Sequence, residues 1–172
     1  MPTAKTVTVD IIRDEVFDDA PDDTQIARWC ELAQQQAGPS LAAADARPVQ
    51  LVVRLVGKEV SAELNSHFRH KNSATNVLSF PGDLPSVVTD HLEYIPLGDL
   101  LICPEVLRTE AQEQHKSLAD HWAHILVHGV LHLNGFDHQN DADAEKMETL
   151  EINILAQMAV ANPYIDRSIE TA

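Results

Sequence analysis

Nine histidines stand in this chain, and three of them fall in one run whose spacing can do chemistry: His128-Gly-Val-Leu-His132-Leu-Asn-Gly-Phe-Asp-His138. His128 and His132 are four residues apart in a segment where Trp122, Ile125, Leu126, Val130 and Leu133 keep helical spacing. Four residues advance a helix by ~6 Å and return to the same face, so two imidazoles can converge on one metal ion. Asn134-Gly135 can end that helix with a left-handed residue, and the returning chain can then bring His138 to a third coordination position. Three histidines without an evident fourth ligand leave a position for water, the pattern of a catalytic site, where the ion lowers the pKa of water to roughly 7. A closed structural site remains the alternative, with Cys103, Asp137 or another histidine folding in as fourth ligand. The expected class is a metal-dependent hydrolase.

The motif also lacks a part. Zinc proteases of the His-Glu-x-x-His type carry their general base directly after the first histidine, and here that position is Gly129. Peptide hydrolysis by that route has no base, although a small residue could let another element approach the helix. His121 and His124 lie on the same helix, and His124 falls close enough in angle to neighbour the site. A packing role is the simpler reading of His124, with support of a metal ligand as the other. His67, His70, His91 and His115 read as surface or loop residues.

Several elements must position this run. Val7 to Ile12 suits a strand, followed by an acidic, proline-containing loop. A helix then starts at Asp22, Asp23 or Thr24, buries Ile26, Trp29, Ala33 and Ala37, and stops at Gly38-Pro39. Val49 to Val56 reads as a central strand covered on at least one face. Val60, Leu64 and Phe68 mark a helix with Glu63, His67 and Arg69 off the buried stripe. Strands are expected over Thr75 to Phe80 and Leu97 to Cys103, with a loop over Pro81 to Pro96 between them. Pro104 opens a helix, Ser117 with Asp120 caps the histidine helix, and Ala144, Met147, Leu150, Ile154 and Met158 define a last one. The fold class is α+β, a small mixed sheet of about four strands packed with about five helices, with the metal site at the end of a helix.

Length and composition suit one globular domain over residues 1–172, with 44% hydrophobic residues and no internal repeat. No stretch approaches the ~18 apolar residues of a membrane span and no apolar leader opens the chain, so a soluble, cytoplasmic protein is expected. Cys30 and Cys103 are too few and too far apart for a disulfide framework or a zinc ribbon. A net charge of -15 argues against binding nucleic acid by blanket neutralisation of phosphates. Acidic residues crowd Asp10 to Asp23 and the stretch from Asp137 onward, while Arg54, Lys58, Arg69 and Lys71 form one basic island that could meet a polyanion locally.

The run from His128 to His138 resembles the signature of the YbeY family of bacterial endoribonucleases, the rRNA maturation factors. Other blocks fit the same pattern in order: Glu63-Leu-Asn-Ser-His-Phe-Arg69, Thr75-Asn-Val-Leu-Ser-Phe-Pro81, Leu97-Gly-Asp-Leu-Leu-Ile102 and Ser117-Leu-Ala-Asp-His-Trp-Ala-His124. The resemblance covers roughly residues 50 to 160. The N-terminal part, His67 and the loop Gly82 to Pro96 depart from it.

The resemblance implies an α+β fold and a zinc-like ion held by His128, His132 and His138. It also implies single-strand-directed RNA cleavage in maturation of the small-subunit rRNA 3′ end, and contact with the ribosome or its small-subunit assembly proteins. The family's functionally implicated arginine corresponds to Arg69. That agrees with the chemistry, because a metal ion and a guanidinium can together stabilise the charge that develops on phosphoryl oxygens. Two other readings stay open: a non-enzymatic ribosome assembly or quality-control factor stiffened by its metal, and a metallohydrolase of another substrate. Whether water or a ribose 2′-hydroxyl is the attacking group is also open, as is the identity of the ion among Zn, Ni, Co and Cu.

Overall fold

The structure is a computed structural model that describes residues 6–37 and 45–165. Along the chain run β1 (Val7–Arg13), α1 (Asp23–Ala37), β2 (Val49–Leu55), α2 (Lys58–Arg69), β3 (Val77–Pro81), α3 (Ser86–Thr89), β4 (Ile95–Ile102), α4 (Pro104–Glu113), α5 (Leu118–Leu133) and α6 (Asp141–Gln157). The four strands form one sheet in the order β1-β2-β4-β3, with β1, β2 and β4 parallel and β3 antiparallel on the edge. This is the mixed sheet expected from the sequence. Five of the six described helices match expected ones, and the sixth, α3, is a single turn inside the loop Pro81 to Pro96, closed by Thr89 N–H donating to the Pro85 carbonyl. The expected stop of α1 at Gly38-Pro39 lies outside the described residues.

Alternation in β2 divides the molecule into two faces. Val49, Leu51, Val53 and Leu55 are 0–1% exposed on the inner face, while Gln50, Val52 and Arg54 point to the half-covered outer face. Each of those buried side chains contributes roughly 1.5–3 kcal/mol through removal from water. Leu100 and Ile102 of β4, register partners of Val53 and Leu55, extend the inner layer, and α1 and α5 pack on it. Apart from its stripe of histidines α5 is largely apolar and correspondingly buried, with Trp122, Leu126, Val127 and Leu131 at 0–1% exposure. Its start is set as the sequence indicates, by Ser117 Oγ accepting from Asp120 N–H at 3.1 Å. Asp22 caps α1 in the same way, accepting from Gln25 N–H at 2.8 Å.

α2 covers the other face, where Val60, Leu64 and Phe80 pack on Val56, Leu78 and Leu101. Its burial departs from the expected stripe, because Phe68 is 48% exposed while Ser61 and Asn65 are buried. The cause is hydrogen bonding to the following segment. Ser61 Oγ donates to the Thr75 carbonyl at 3.1 Å and accepts from Thr75 N–H at 3.0 Å, and Asn65 Nδ2 donates to the Ser73 carbonyl at 2.8 Å. These bonds tie the chain leaving α2 back onto the helix and so fix where β3 enters the sheet.

Candidate functional site

α5 ends at the site. Gly135 adopts φ 91°, its N–H reaches the His132 carbonyl at 3.0 Å, and Phe136 N–H reaches the Leu131 carbonyl at 3.1 Å. This is the paired bonding of a glycine-terminated helix, sealed by Phe136 packing back on the core. A residue with a Cβ is strained at that φ, so the glycine is what lets the chain reverse within three residues and return His138 to the helix end. The ligand atoms of His128, His132 and His138 lie within 4.8 Å of one another. Nε2 of His128 and Nε2 of His132 are 3.0 Å apart, close to the ~3.3 Å that two nitrogens keep on one tetrahedral zinc ion. Burial, followed by the neighbouring His128 and His138, holds His132 below the ordinary histidine pKa. A neutral ring keeps the lone pair that a metal takes.

Glu151 of α6 stands behind the triad, and sequence reasoning missed it. Its Oε1 lies 2.6 Å from His128 Nδ1, its Oε2 lies 3.3 Å from His124 Nε2, and the Tyr164 hydroxyl donates to Oε2. The side chain is fully buried. Burial pushes its pKa up, but the hydrogen bonds from His124, His128 and Tyr164 outweigh that and hold it at about 2. The available signal was its place on α6: the buried residues are Met147, Glu151, Ile154 and Leu155, so a carboxylate interrupts the apolar stripe. His124 therefore packs between helices and also touches the group that supports His128. Burial keeps its pKa below the ordinary value despite Glu151.

Gly129 has the packing role its size permits. A Cβ there would lie 2.8 Å and 3.1 Å from the two methyls of Leu100 and 3.4 Å from Val77 Cγ2. α5 is thus seated directly on β4 and β3, and the position that carries the base in a protease is filled by the sheet. Cys103 and Asp137 belong to neither of the side-chain groups that could hold an ion among the described residues. Asp137 Oδ1 instead accepts from His138 N–H at 2.7 Å. Both cysteines are buried and unpaired with each other. His67, His70, His91 and His115 are exposed.

The triad opens on a cleft of about 470 Å³ lined by residues of the edge strand β3, of α2 and of α5. His128, His132 and His138 line it, and so do Arg69, Lys71 and Ser79. Arg69 reaches around the edge: its Nη2 donates to the Ser79 carbonyl at 3.2 Å, and its guanidinium carbon lies 5.9 Å from the centre of the Phe80 ring. Arg13, Arg47, Arg54 and Arg108 are each paired with an aspartate, whereas no carboxylate pairs with Arg69 among the described residues. The basic island is therefore smaller than the sequence suggested. Arg54 is neutralised by Asp14 at 2.7 Å, and Lys58 starts the helix that Arg69 ends, which leaves Arg69 and Lys71 in the cleft. The acidic stretch after β1 is likewise a set of ties, Asp14 to Arg54, Asp19 to Arg108 and Asp23 to Arg13.

A mixed sheet thus carries three imidazoles that converge at a helix end and could hold a metal ion, in a cleft that Arg69 and Lys71 also line. A family model described as Endoribonuclease YbeY matches residues 13–159. A protein named endoribonuclease YbeY from Pseudomonas putida is 47% identical over 151 residues, covering 88% of this chain and 89% of that one. A relative of the same name from Colwellia psychrerythraea is 44% identical and covers 86% of this chain and 90% of its own. Among solved structures, the solution structure of a Thermotoga maritima protein superposes with a TM-score of 0.54 at 19% identity, covering 90% of this chain and 92% of that one, which speaks for the fold. The chain belongs to the YbeY endoribonuclease family. No helix among the described residues is long and apolar enough to cross a membrane.

Proposed function

We propose that this protein is a single-strand-specific, metal-dependent endoribonuclease of the cytoplasm, acting in maturation of the small-subunit rRNA 3′ end and in ribosome quality control, with one domain over residues 1–172 carrying the site. The observation that carries the reading is that Arg69, which no carboxylate neutralises among the described residues, lines the same cleft as His128, His132 and His138. Membership in a family whose relatives are named endoribonucleases supports the substrate class.

Three imidazoles, with His128 hydrogen-bonded to a buried carboxylate, are a donor set that suits zinc. His128, His132 and His138 would hold the ion, which when bound would supply Lewis-acid chemistry at the cleft. The protein's own residues do the rest. Arg69 is the catalytic residue in the same cleft, where a planar guanidinium can take two phosphoryl oxygens and offset the charge they gain as the bond to phosphorus forms. Its contacts with the Ser79 carbonyl and the Phe80 ring hold it in the cleft without neutralising it. Lys71 adds a second positive charge for the backbone of the strand. Gly129 leaves no space for a protease-type glutamate, which favours phosphodiester over peptide chemistry.

The net charge of -15 bears on delivery. A chain so acidic binds naked RNA weakly, and its substrate reaches it on the ribosome or with small-subunit assembly proteins. Elemental analysis beside cleavage of a single-stranded RNA tests the whole reading, for the wild type, Arg69→Ala and a chelated control. Wild type should carry about one metal ion and cut, chelation should stop cutting, and Arg69→Ala should keep its metal while losing about 10²–10³ in rate. Metal-loaded wild type that never cuts RNA sinks the enzyme and leaves an assembly factor.

A further inference from the structure

Resting on the reading of His128 as a metal ligand, we infer that Glu151 is a positioning residue: its buried carboxylate holds the proton of His128 on Nδ1, so that Nε2 is the nitrogen offered to the ion. The two oxygens of the carboxylate have separate duties. Oε1 meets His128 Nδ1 at 2.6 Å, while Oε2 is engaged by the Tyr164 hydroxyl and lies 3.3 Å from His124 Nε2. With Oε2 engaged from two sides, the carboxylate cannot turn away, and Oε1 remains for His128 alone. The opposite edge of the same ring then presents Nε2 at 3.0 Å from His132 Nε2, inside the triad. A neutral imidazole carries one proton on one of two nitrogens, so fixing it on Nδ1 frees the lone pair on Nε2 and raises its basicity.

Two plainer roles are weaker. His124, His128 and Glu151 could in principle hold an ion of their own. Yet 2.6 Å between Nδ1 and Oε1 is the length of a charge-assisted hydrogen bond, shorter than the ~3.3 Å at which two donors share a tetrahedral zinc. A simple staple between α5 and α6 is the other. A fully buried charge is costly to keep for that purpose, since an apolar side chain of similar volume serves packing as well or better.

The test compares wild type, Glu151→Gln, Glu151→Leu and Tyr164→Phe. The tautomer of His128 is read from ¹⁵N chemical shifts of the metal-free protein, and zinc affinity from competition with a chromophoric chelator. Wild type should show His128 protonated on Nδ1. Glu151→Leu should lose that preference and bind zinc about 10–100-fold more weakly. Glu151→Gln keeps an acceptor without the charge, so it should retain the tautomer and lose affinity by a smaller factor. Tyr164→Phe, which only loosens the carboxylate, should lose least. Wild-type His128 protonated on Nε2, or zinc affinity within twofold of wild type in both Glu151 variants, overturns the inference. If Glu151→Leu does not fold, affinity and tautomer in Glu151→Gln decide in the same sense. If wild type takes up no ion at all, the reading of the metal site fails, and the tautomer still decides the role of Glu151.

Discussion

Of the three histidine–carboxylate pairs on α5, those of His121 and His128 stand seven residues apart and have opposite outcomes. His121 turns Nε2 to Glu110 of α4 at 2.7 Å, and its side chain is 2% exposed. The Nδ1 it leaves over is buried with no hydrogen-bond partner. His128 turns Nδ1 to Glu151 of α6 at 2.6 Å, and its side chain is 24% exposed, so the Nε2 it leaves over faces the cleft. Residue types, helix and distances are nearly the same. What separates a structural histidine from a candidate ligand is which ring nitrogen the carboxylate engages and whether the other one meets solvent and a second imidazole.

The contrast can be broken most sharply by truncating each histidine in turn. His128→Ala should abolish metal uptake and RNA cleavage while leaving the fold, as read by elemental analysis, product gels and circular dichroism. His121→Ala should do the reverse, keeping metal and activity but lowering stability by about 2–4 kcal/mol in chemical denaturation, because it opens a cavity and strips Glu110 of a donor. Loss of metal from His121→Ala would show that the two pairs form one network. A glutamate installed beside His128 probes the seat of α5 on the sheet. Gly129→Glu restores the protease pattern on paper but drives a charged side chain into Leu100 and Val77, and should cost at least about 3 kcal/mol and confer no peptidase activity.

A smaller effect should come from acid. Burial raises the Glu110 pKa, but the hydrogen bonds from His121 and Asn76 outweigh it and leave Glu110 below the ordinary value. A carboxyl with a depressed folded-state pKa contributes stability that is full above its unfolded pKa of about 4.3 and is lost as pH falls through the lower folded value. Metal-free Glu110→Gln should therefore lose less stability than wild type between about pH 5 and pH 3 in urea titrations. An unchanged slope would mean that Glu110 is not held by His121. The smallest change expected is in Arg54→Ala, which removes an exposed pair with Asp14: under about 1 kcal/mol, and no change in cleavage if the cleft cations are Arg69 and Lys71 alone.

Much of this was legible in the chain itself where periodicity or local stereochemistry decides. The four strands, the cap at Ser117, the reversal at Gly135 and the convergence of His128, His132 and His138 follow from alternation, capping chemistry and the rise of a helix, all of which act within a few residues. α2 was misread in its burial because Ser61 and Asn65 are buried through hydrogen bonds to Thr75 and Ser73, and a stripe of apolar residues carries no trace of such partners. α3 was missed because one turn has no period to detect.

The site divides along the same line. From the residues alone came three imidazoles at a helix end, and the resemblance of ordered blocks pointed to Arg69; both are matters of spacing or pattern. Tertiary structure decided that Arg54 of the basic island is neutralised while Arg69 is not, that Gly129 is where the sheet meets the helix, and that Glu151 stands behind His128 and not behind some other ring. Each of these depends on distances between segments remote in the chain, and hydrophobic burial, which brings them together, is set by the summed packing of the whole fold and by no single stretch of it.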